Sequence, residues 1–205
     1  MSGTSHDGLD LAACRFSKTH GQYSFRIIHA ETIPYSAHWK ERLIGLPAKG
    51  TAEIRNADDE LGIFIGEQCR KFIEKNRIKP DFLASHGHTV FHEPERKITL
   101  QIGSGQRIHE ACGITVIHDF RSADVAMGGQ GAPLVPVGDR LLFGEYDHCL
   151  NIGGIANVSF EEDGVRKAFD ICPANMVLNH LAETVGKVYD EEIGRASCRE
   201  RVCHR

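Results

Sequence analysis

Small hydroxyl, glycine and acidic residues are concentrated in the first ten residues of the chain, MSGTSHDGLD. Backbone N–H groups of a tight glycine turn and the hydroxyls of Thr4 and Ser5 can bind phosphate oxygens, and Asp7 or Asp10 can orient magnesium through water. By itself so short a motif is more often an ordinary hairpin turn. A phosphate-binding turn is therefore a hypothesis that needs a second observation.

A second glycine turn, NIGGIAN, supplies Asn151, Gly153, Gly154 and Asn157. It belongs to a strand, turn, strand, turn, strand pattern, and the beginning of the chain follows a similar plan of glycine turn, strand, turn and strand. Repetition of one plan predicts two related lobes, each offering a glycine turn to a shared nucleotide cleft. The pair of turns favours a nucleotide site more strongly than either turn alone.

Histidine, arginine and glycine follow two predicted strands, where open α/β sheets place their ligands. In SHGHTVFH, we interpret His86 and His88 as hydrogen-bonding groups for a polar ligand such as a sugar; a metal site is less favoured because no carboxylate ligand set accompanies them. In HDFRSADVAMGGQGAP, four polar residues accompany three glycines: Asp119, Arg121, Asp124 and Gln130. The planar guanidinium of arginine suits a carboxylate, which favours an acidic substrate.

Asp170 and Asn175 lie at a predicted junction between a strand and a helix, in AFDICPANMVLNHL. The pattern predicts that Asp170 ends the strand, that Asn175 starts the helix and that Pro173 belongs to its first turn. A carboxylate at this point either caps the helix N-terminus or, opposite a phosphate loop, acts as a general base. The residues alone leave both roles open.

Alternating strand and helix patterns predict an α/β fold around these residues. Residues 9–35 are predicted to form a hairpin, and apolar residues at helical spacing predict a helix over 56–77 with Asp58 as its N-cap. The remaining predicted elements are a short apolar strand within 81–91, a strand over 97–103, a short helix over 105–113, a buried strand ending on Asp119, and a short helix over 136–143.

The composition of the 205-residue chain is that of a globular protein, with 41% hydrophobic residues and a net charge of −4. That charge provides no basic surface for nucleic acid, and no apolar run is long enough to span a bilayer, so neither is expected as a partner. Seven cysteines without a C-x-x-C pair argue against a zinc site and a disulfide framework. They fit a reducing compartment, which predicts a cytoplasmic protein.

Six motifs in order resemble the anhydro-N-acetylmuramic acid kinase family over residues 1–192: MSGTSHDGLD, SHGHTVFHEP, TLQIGSG, DFRSADVAMGGQGAPLVP, NIGGIANVS and FDICPANM. The resemblance implies a two-lobed, actin-like and Hsp70-like (ribonuclease H-like) sugar-kinase fold that uses ATP and Mg²⁺. It also implies opening of the 1,6-anhydro ring of anhydro-N-acetylmuramic acid by water, with transfer of the γ-phosphate to O6, in cell-wall recycling. The alternatives are another sugar or acid kinase of this fold and a non-catalytic nucleotide-binding fragment.

The resemblance further implies roles for individual residues. Asp170 matches the catalytic aspartate that deprotonates the attacking water, and Asp7 is the candidate magnesium ligand through water. The implied nucleotide-binding residues are Gly3, Thr4, Ser5, His6, Asp7, Gly8, Leu9, Asp10, Asn151, Gly153 and Gly154. The implied substrate-binding residues are His86, His88, Thr89, Arg121, Gln130 and Asn175.

Three segments are expected along the chain: a first lobe over residues 1–140, the beginning of a second lobe with its catalytic aspartate over 141–192, and residues 193–205. The last segment, IGRASCRERVCHR, is interpreted as an artefact derived from a sequencing adapter. Because the family has a strand before its first loop and continues past the aspartate, we expect this chain to be truncated at both ends and inactive alone. A homodimer is an expectation for the full-length protein.

Overall fold

The computed structural model of the chain describes residues 2, 8–186 and 202–204. The chain divides into two compact units, Met1–Arg15 with Arg26–Ala132, and Phe16–Phe25 with Pro133–Arg205. Helices and strands are mixed along the described residues, which confirms the predicted α/β class. None of the helices described is both long and apolar enough to cross a membrane.

A long hairpin opens the chain, as predicted. Strand β1 (Gly8–Thr19) pairs with β2 (Gln22–Pro34), and His20 and Gly21 connect them with φ of 51° and 84°. Two successive residues at positive φ are typical of the tight turn whose twist matches a hairpin. Gly8 lies so close to β2 that a Cβ there would be 2.6 Å from the carbonyl oxygen of Ile33, so this position requires glycine.

The predicted helix begins earlier than the sequence pattern indicates, and a helix that was not predicted precedes it. Helix α1 (Ala37–Gly45) is followed by α2 (Thr51–Asn76), whose N-cap is Gly50, not Asp58. The prediction of Asp58 as N-cap was wrong because TAEIR is itself helical, and the Glu53 carboxylate accepts the N–H of Gly50 at 3.3 Å. Asp58 lies within the helix, where its carboxylate accepts the N–H of Gly103 at 2.8 Å.

Helix α3 (Gly105–Cys112) packs closely against α2, because two glycines one turn apart lie at the contact. A Cβ on Gly66 would be 2.6 Å from the Cβ of Ala111, and one on Gly62 would be 2.8 Å from the carbonyl oxygen of Ser104. Ser104 caps α3, and Gly113 ends it at φ 73°. The core of the first unit is a cluster around these helices: Leu9, Tyr35, Leu43, Leu46, Ala57, Leu61, Ile65, Cys69, Ile102 and Ile108.

Short strands complete the first unit. Strand β3 (Leu83–Ser85) pairs parallel with β6 (Val116–His118), while β4 (His88–Glu93) pairs antiparallel with β5 (Ile98–Ile102). The single strand predicted within 81–91 is divided by Gly87, which has φ 69°. The strand predicted to be buried and to end on Asp119 is only partly buried and ends at His118. Val116 packs against the core of the first unit, whereas Ile117 is 45% exposed and Asp119 has φ 56°.

The second unit is built on an antiparallel sheet. Its strands β7 (His148–Ile152), β8 (Ile155–Glu162), β9 (Val165–Pro173) and β10 (Val202–His204) lie in the order β10-β7-β8-β9. Helix α4 (Ser122–Ala126) ends the first unit, and α5 (Val135–Leu142) and α6 (Asn175–Thr184) belong to the second. The strand, turn, strand, turn, strand prediction is confirmed.

Two details of the second unit differ from the predictions. Pro173 belongs to β9 and not to the first turn of α6, and Asp170 lies inside the strand instead of ending it. Asn175 starts α6 as predicted. Most of segment 193–205, interpreted as an artefact, lies outside the described residues.

Candidate functional site

The predicted first phosphate turn is described only at its end. The structure describes Gly8 and Leu9, both buried at the start of β1, and Asp10, which is exposed. The Asp10 carboxylate accepts the hydroxyl of Thr32 on β2 at 2.6 Å. The predictions for the other residues of the turn fall outside the described residues: Gly3, Thr4, Ser5, His6 and Asp7.

Ser2, immediately before that turn, is tied to β4 by a buried hydrogen bond. Its Oγ lies 2.9 Å from Nδ1 of His88, and the two residues are 3% and 2% exposed. His88 was predicted to contact substrate; its imidazole is buried and hydrogen-bonded within the protein. Thr89, the next residue on β4, is half-buried and pairs in register with Gln101. No sequence pattern signals the hydrogen bond between Ser2 and His88, because the two residues are 86 positions apart.

His86 and Arg121 meet directly. Nε and Nη2 of Arg121 lie 3.2 Å and 2.9 Å from Nε2 of His86, and Nη1 donates to the carbonyl oxygen of Gly131 at 2.6 Å. The structure thus brings together two of the predicted substrate-binding residues. Their first partners are each other and the glycine-rich loop.

Parallel pairing of β3 and β6 explains why these two side chains meet. Ser85 and His118 are register partners at the ends of the two strands, so the segments that follow leave the same edge of the sheet. His86 comes directly after one strand, and Arg121 follows the other by a short turn. Open α/β sheets bind ligands at this carboxyl edge, which is the location that the sequence predicted.

Asp124 completes the arrangement; the sequence placed it in the same charged, glycine-rich segment as Arg121 but assigned it no individual role. Its Oδ2 accepts the N–H of Gly131 at 2.7 Å, so Arg121 and Asp124, one helical turn apart, hold the carbonyl and the amide of the same residue. Gly131 is buried and has φ 63°. The spacing of Arg121 and Asp124 in RSAD was the available signal. Gln130, in contrast, is exposed.

Burial and the guanidinium shape the electrostatics of this cluster. The pKa of His86 is lowered by burial first and by the charge of Arg121 second, with an opposing effect of the hydrogen bond to Gly87. Burial also lowers the pKa of Arg121, which nevertheless stays protonated because arginine titrates far above neutral pH. A neutral imidazole beside a cation is suited to an anionic ligand.

Register in the second unit aligns three polar residues across the sheet. Asn151 on β7 pairs with Asn157 on β8, and Asn157 pairs with Asp170 on β9. Direct partners on antiparallel strands point to the same face, and neighbouring strands lie about 4.8 Å apart. Asn151 of the predicted second phosphate turn and Asp170 therefore share one face, roughly 10 Å apart.

A β-bulge lies next to Asp170. Ala156 pairs with Cys172 and Asn157 with Asp170, so Ile171 is an extra residue on β9. Bulges bend a strand and redirect side chains, and they are frequent beside active sites. The Asp170 carboxylate is exposed, which leaves it accessible to a ligand.

The glycine turn is bonded to the start of α6. The carbonyl oxygens of Gly153 and Gly154 accept the N–H groups of Asn175 and Ala174 at 3.0 Å and 2.9 Å. These carbonyls, and not the carboxylate of Asp170, accept those helix N-terminal donors. Asn175, a predicted substrate-binding residue, is buried at this junction.

A buried polar cluster in the second unit was also missed by sequence analysis. Ser159 donates to Oδ2 of Asp139 at 2.6 Å and accepts from Arg166 at 2.9 Å, with Asp139 and Ser159 each 2% exposed. The cluster connects α5 to the sheet. Within the described parts of the chain, no group of three or more His, Cys, Asp or Glu side chains is placed to hold a metal ion.

Comparison with known proteins places these residues in a family context. The family model described as anhydro-N-acetylmuramic acid kinase matches residues 1–203. Curated proteins called anhydro-N-acetylmuramic acid kinase are 40% identical in Acinetobacter baylyi, 38% in Paramagnetospirillum magneticum and 36% in Pseudomonas putida. These matches cover 93%, 89% and 94% of this chain, but 53%, 52% and 54% of those proteins. The chain thus spans about half the length of the curated relatives it matches.

Proposed function

We propose, from the premise that this chain belongs to the anhydro-N-acetylmuramic acid kinase family, that a protein of the relatives' full length phosphorylates 1,6-anhydro-N-acetylmuramic acid with ATP. The observation that carries the proposal is the row Asn151, Asn157 and Asp170, which joins the glycine turn to an accessible carboxylate on one sheet face. A phosphate-binding turn beside a general base is what this chemistry requires.

In the proposed reaction Asp170 accepts a proton from a water molecule that attacks C1 of the anhydro sugar. A C1–O bond to water forms, the C1–O6 bond breaks, and O6 forms a bond to the γ-phosphorus as the bond to ADP breaks. The products are N-acetylmuramic acid 6-phosphate and ADP. Asp170 contributes proton transfer, which usually accelerates a step by about 10²–10⁴-fold.

The glycine turns would hold the nucleotide. Asn151, Gly153 and Gly154 would contribute to its binding, and so would residues 3–10. The carbonyls of Gly153 and Gly154 already bond to α6, which fixes the turn before a ligand arrives. Mg²⁺, held through water by Asp7, would neutralise the charge that develops on the phosphate oxygens.

The remaining parts of the proposal concern the sugar and the whole protein. Arg121 would bind the lactyl carboxylate of the substrate, with Thr89, Gln130 and Asn175 as further substrate contacts. The full-length protein would have the two-lobed sugar-kinase architecture, function in the cytoplasm in cell-wall recycling, and form a homodimer.

The test is a pair of matched aspartate substitutions in the full-length protein. Asp170→Asn should lower kcat for ATP-dependent phosphorylation of the anhydro sugar by at least about a hundredfold while ATP binding, measured by calorimetry, survives. Asp163→Asn removes a carboxylate from the β8–β9 turn of the same sheet and should leave kcat unchanged. Turnover in ¹⁸O-water should place label at C1 of the product.

Three results would contradict the proposal. Absence of ¹⁸O at C1 would exclude water attack at that carbon. A loss of only a few-fold in Asp170→Asn, with the protein folded, would exclude Asp170 as the base. ATP consumption with another sugar or acid, but none with the anhydro sugar, would instead identify a different kinase of this fold.

A further inference from the structure

The guanidinium of Arg121 is held on two of its edges. Its side-on edge, formed by Nε and Nη2, faces Nε2 of His86, and its Nη1 donates to the carbonyl oxygen of Gly131. Among the described residues these contacts leave one N–H on Nη1 and one on Nη2. Two terminal N–H groups can form one end-on fork toward a carboxylate or phosphate group.

The contacts also determine the protonation state of His86. Arginine only donates hydrogen bonds, so Nε2 of His86 must be the acceptor and cannot carry a proton. The imidazole proton is then on Nδ1, which lies 3.2 Å from the carbonyl oxygen of Gly87. A neutral Nδ1–H imidazole is the form that satisfies both neighbours.

On the other side of Arg121, Gly131 is hydrogen-bonded through both its amide and its carbonyl group. Asp124 accepts the N–H of Gly131 while Arg121 donates to its carbonyl oxygen. Gly131 has φ 63°, and a Cβ there would be 2.6 Å from Cγ2 of Val125, so the peptide is confined. Arg121 therefore lies between the hydrogen-bonded Gly131 and one titratable group, His86.

We infer that His86 is a positioning residue for Arg121: in its neutral form it holds the side-on edge, so that the end-on edge is presented to one anionic group of the ligand. Protonation of His86 adds a second cation and removes the acceptor, so Arg121 leaves this position and the anion site weakens. The inference deepens the proposed function, because the anionic group would be the substrate carboxylate.

The surroundings of His86 determine in which direction the His86–Arg121 contact depends on pH. Arg121 is the positive side chain that acts on it, and Asp124 reaches this cluster through Gly131. Burial first and the charge of Arg121 second lower the pKa of His86 below its ordinary value of 6.5. The holding contact is thus complete at neutral pH and is lost as the pH falls below that range.

The kinetic test compares three variants in the full-length protein. His86→Leu removes the acceptor and should raise KM for the acidic sugar at least about tenfold at neutral pH, with kcat little changed, as expected for loss of a charge-assisted hydrogen bond. His86→Gln keeps an acceptor that does not titrate, so it should restore a low KM and abolish the rise of KM in acid. His92→Gln makes the same change at an exposed histidine of β4 and should behave as wild type.

A second readout does not depend on activity. NMR of ¹⁵N-labelled histidine in the present chain should show His86 as the Nδ1–H tautomer at neutral pH, titrating below 6.5. Arg121→Met should move that titration upward. If the wild-type protein does not turn over the anhydro sugar, the proposed function fails while this readout still tests the inference.

Three outcomes would overturn the inference. They are a proton on Nε2 of His86 at neutral pH, a His86 titration that Arg121→Met does not move, and an acid rise of KM that persists in His86→Gln.

Discussion

At the scale of single residues, strand register determines which side chains surround Asp170. Asn157 is its direct partner on β8, and the bulge at Ile171 follows immediately on β9. The Asn157 amide adds no charge beside that carboxylate. The role proposed for Asp170 therefore depends on Asn157 being neutral.

Asn157→Asp tests this dependence. A second carboxylate opposite Asp170 would place two like charges on neighbouring strands, which disfavours ionisation of both together. In the full-length protein the acidic limb of the kcat profile should consequently move to higher pH. Val165→Asp is the control, because it adds the same charge at an exposed position on the same strand, five residues away. Equal profiles for Asn157→Asp and wild type would show that Asp170 does not govern the acidic limb.

At the scale of secondary structure, the α2–α3 contact depends on glycine as a space-saving residue. Gly62 and Gly66 allow the backbone of α3 to approach α2, and this contact carries Gly103 and Ser104 onto the side of α2 where Asp58 binds Gly103. Helix α2 also contacts β5, and α3 contacts β6. Alanine would improve helix propensity at these positions but would overlap α3.

Gly66→Ala and Gly45→Ala separate these two effects. Helix propensity favours alanine over glycine by roughly 0.5–1 kcal/mol, and nothing lies within 4 Å of a Cβ on Gly45, so Gly45→Ala should stabilise the protein. Gly66→Ala should destabilise it by about 1–3 kcal/mol, because its Cβ would be 2.7 Å from the carbonyl oxygen of Ile108. Urea unfolding measures both free energies. Stabilisation by Gly66→Ala would contradict the close packing described here.

At the scale of the whole molecule, the two units differ in their cores. The first unit contains a cluster of large buried side chains, including Leu43, Leu61 and Ile108. In the described part of the second unit, the buried hydrophobic residues are small: Cys149, Ala156 and Ala182. Large apolar side chains on β9 and α6 are exposed there, such as Phe169 and Leu181 at 53% and 54%. The first unit should therefore be the more stable of the two.

Native-state hydrogen exchange in increasing urea measures this difference. Amides of α2 and β5 should need more urea to open than those of β7, β8 and β9, because local stability follows buried apolar contact. Leu61→Ala should lower the opening free energy of the first unit by about 2–5 kcal/mol. The amides of the sheet in the second unit should respond less. Equal opening of both units, with an equal response to Leu61→Ala, would contradict this difference in stability.

The sequence by itself determined the features that depend on neighbouring residues. The hairpin with His20 and Gly21, the second turn at Asp163 and Gly164, and the helix start at Asn175 all follow from local backbone preferences. The ordered motifs likewise sufficed to predict the family, which the comparison confirms.

Only the tertiary structure decided which of these features meet. The Ser2–His88 bond spans 86 positions and the His86–Arg121 contact 35, and no sequence pattern records pairings of that separation. Strand register placed Asn151, Asn157 and Asp170 on one face of the sheet. A shift of one residue would turn the side chains of a strand to the opposite face. Helix propensity overrode the predicted cap at Asp58, whose carboxylate found its partner on Gly103, 45 positions away. Local preferences act between adjacent residues, whereas the partners of buried and charged groups are chosen by the packing of distant segments.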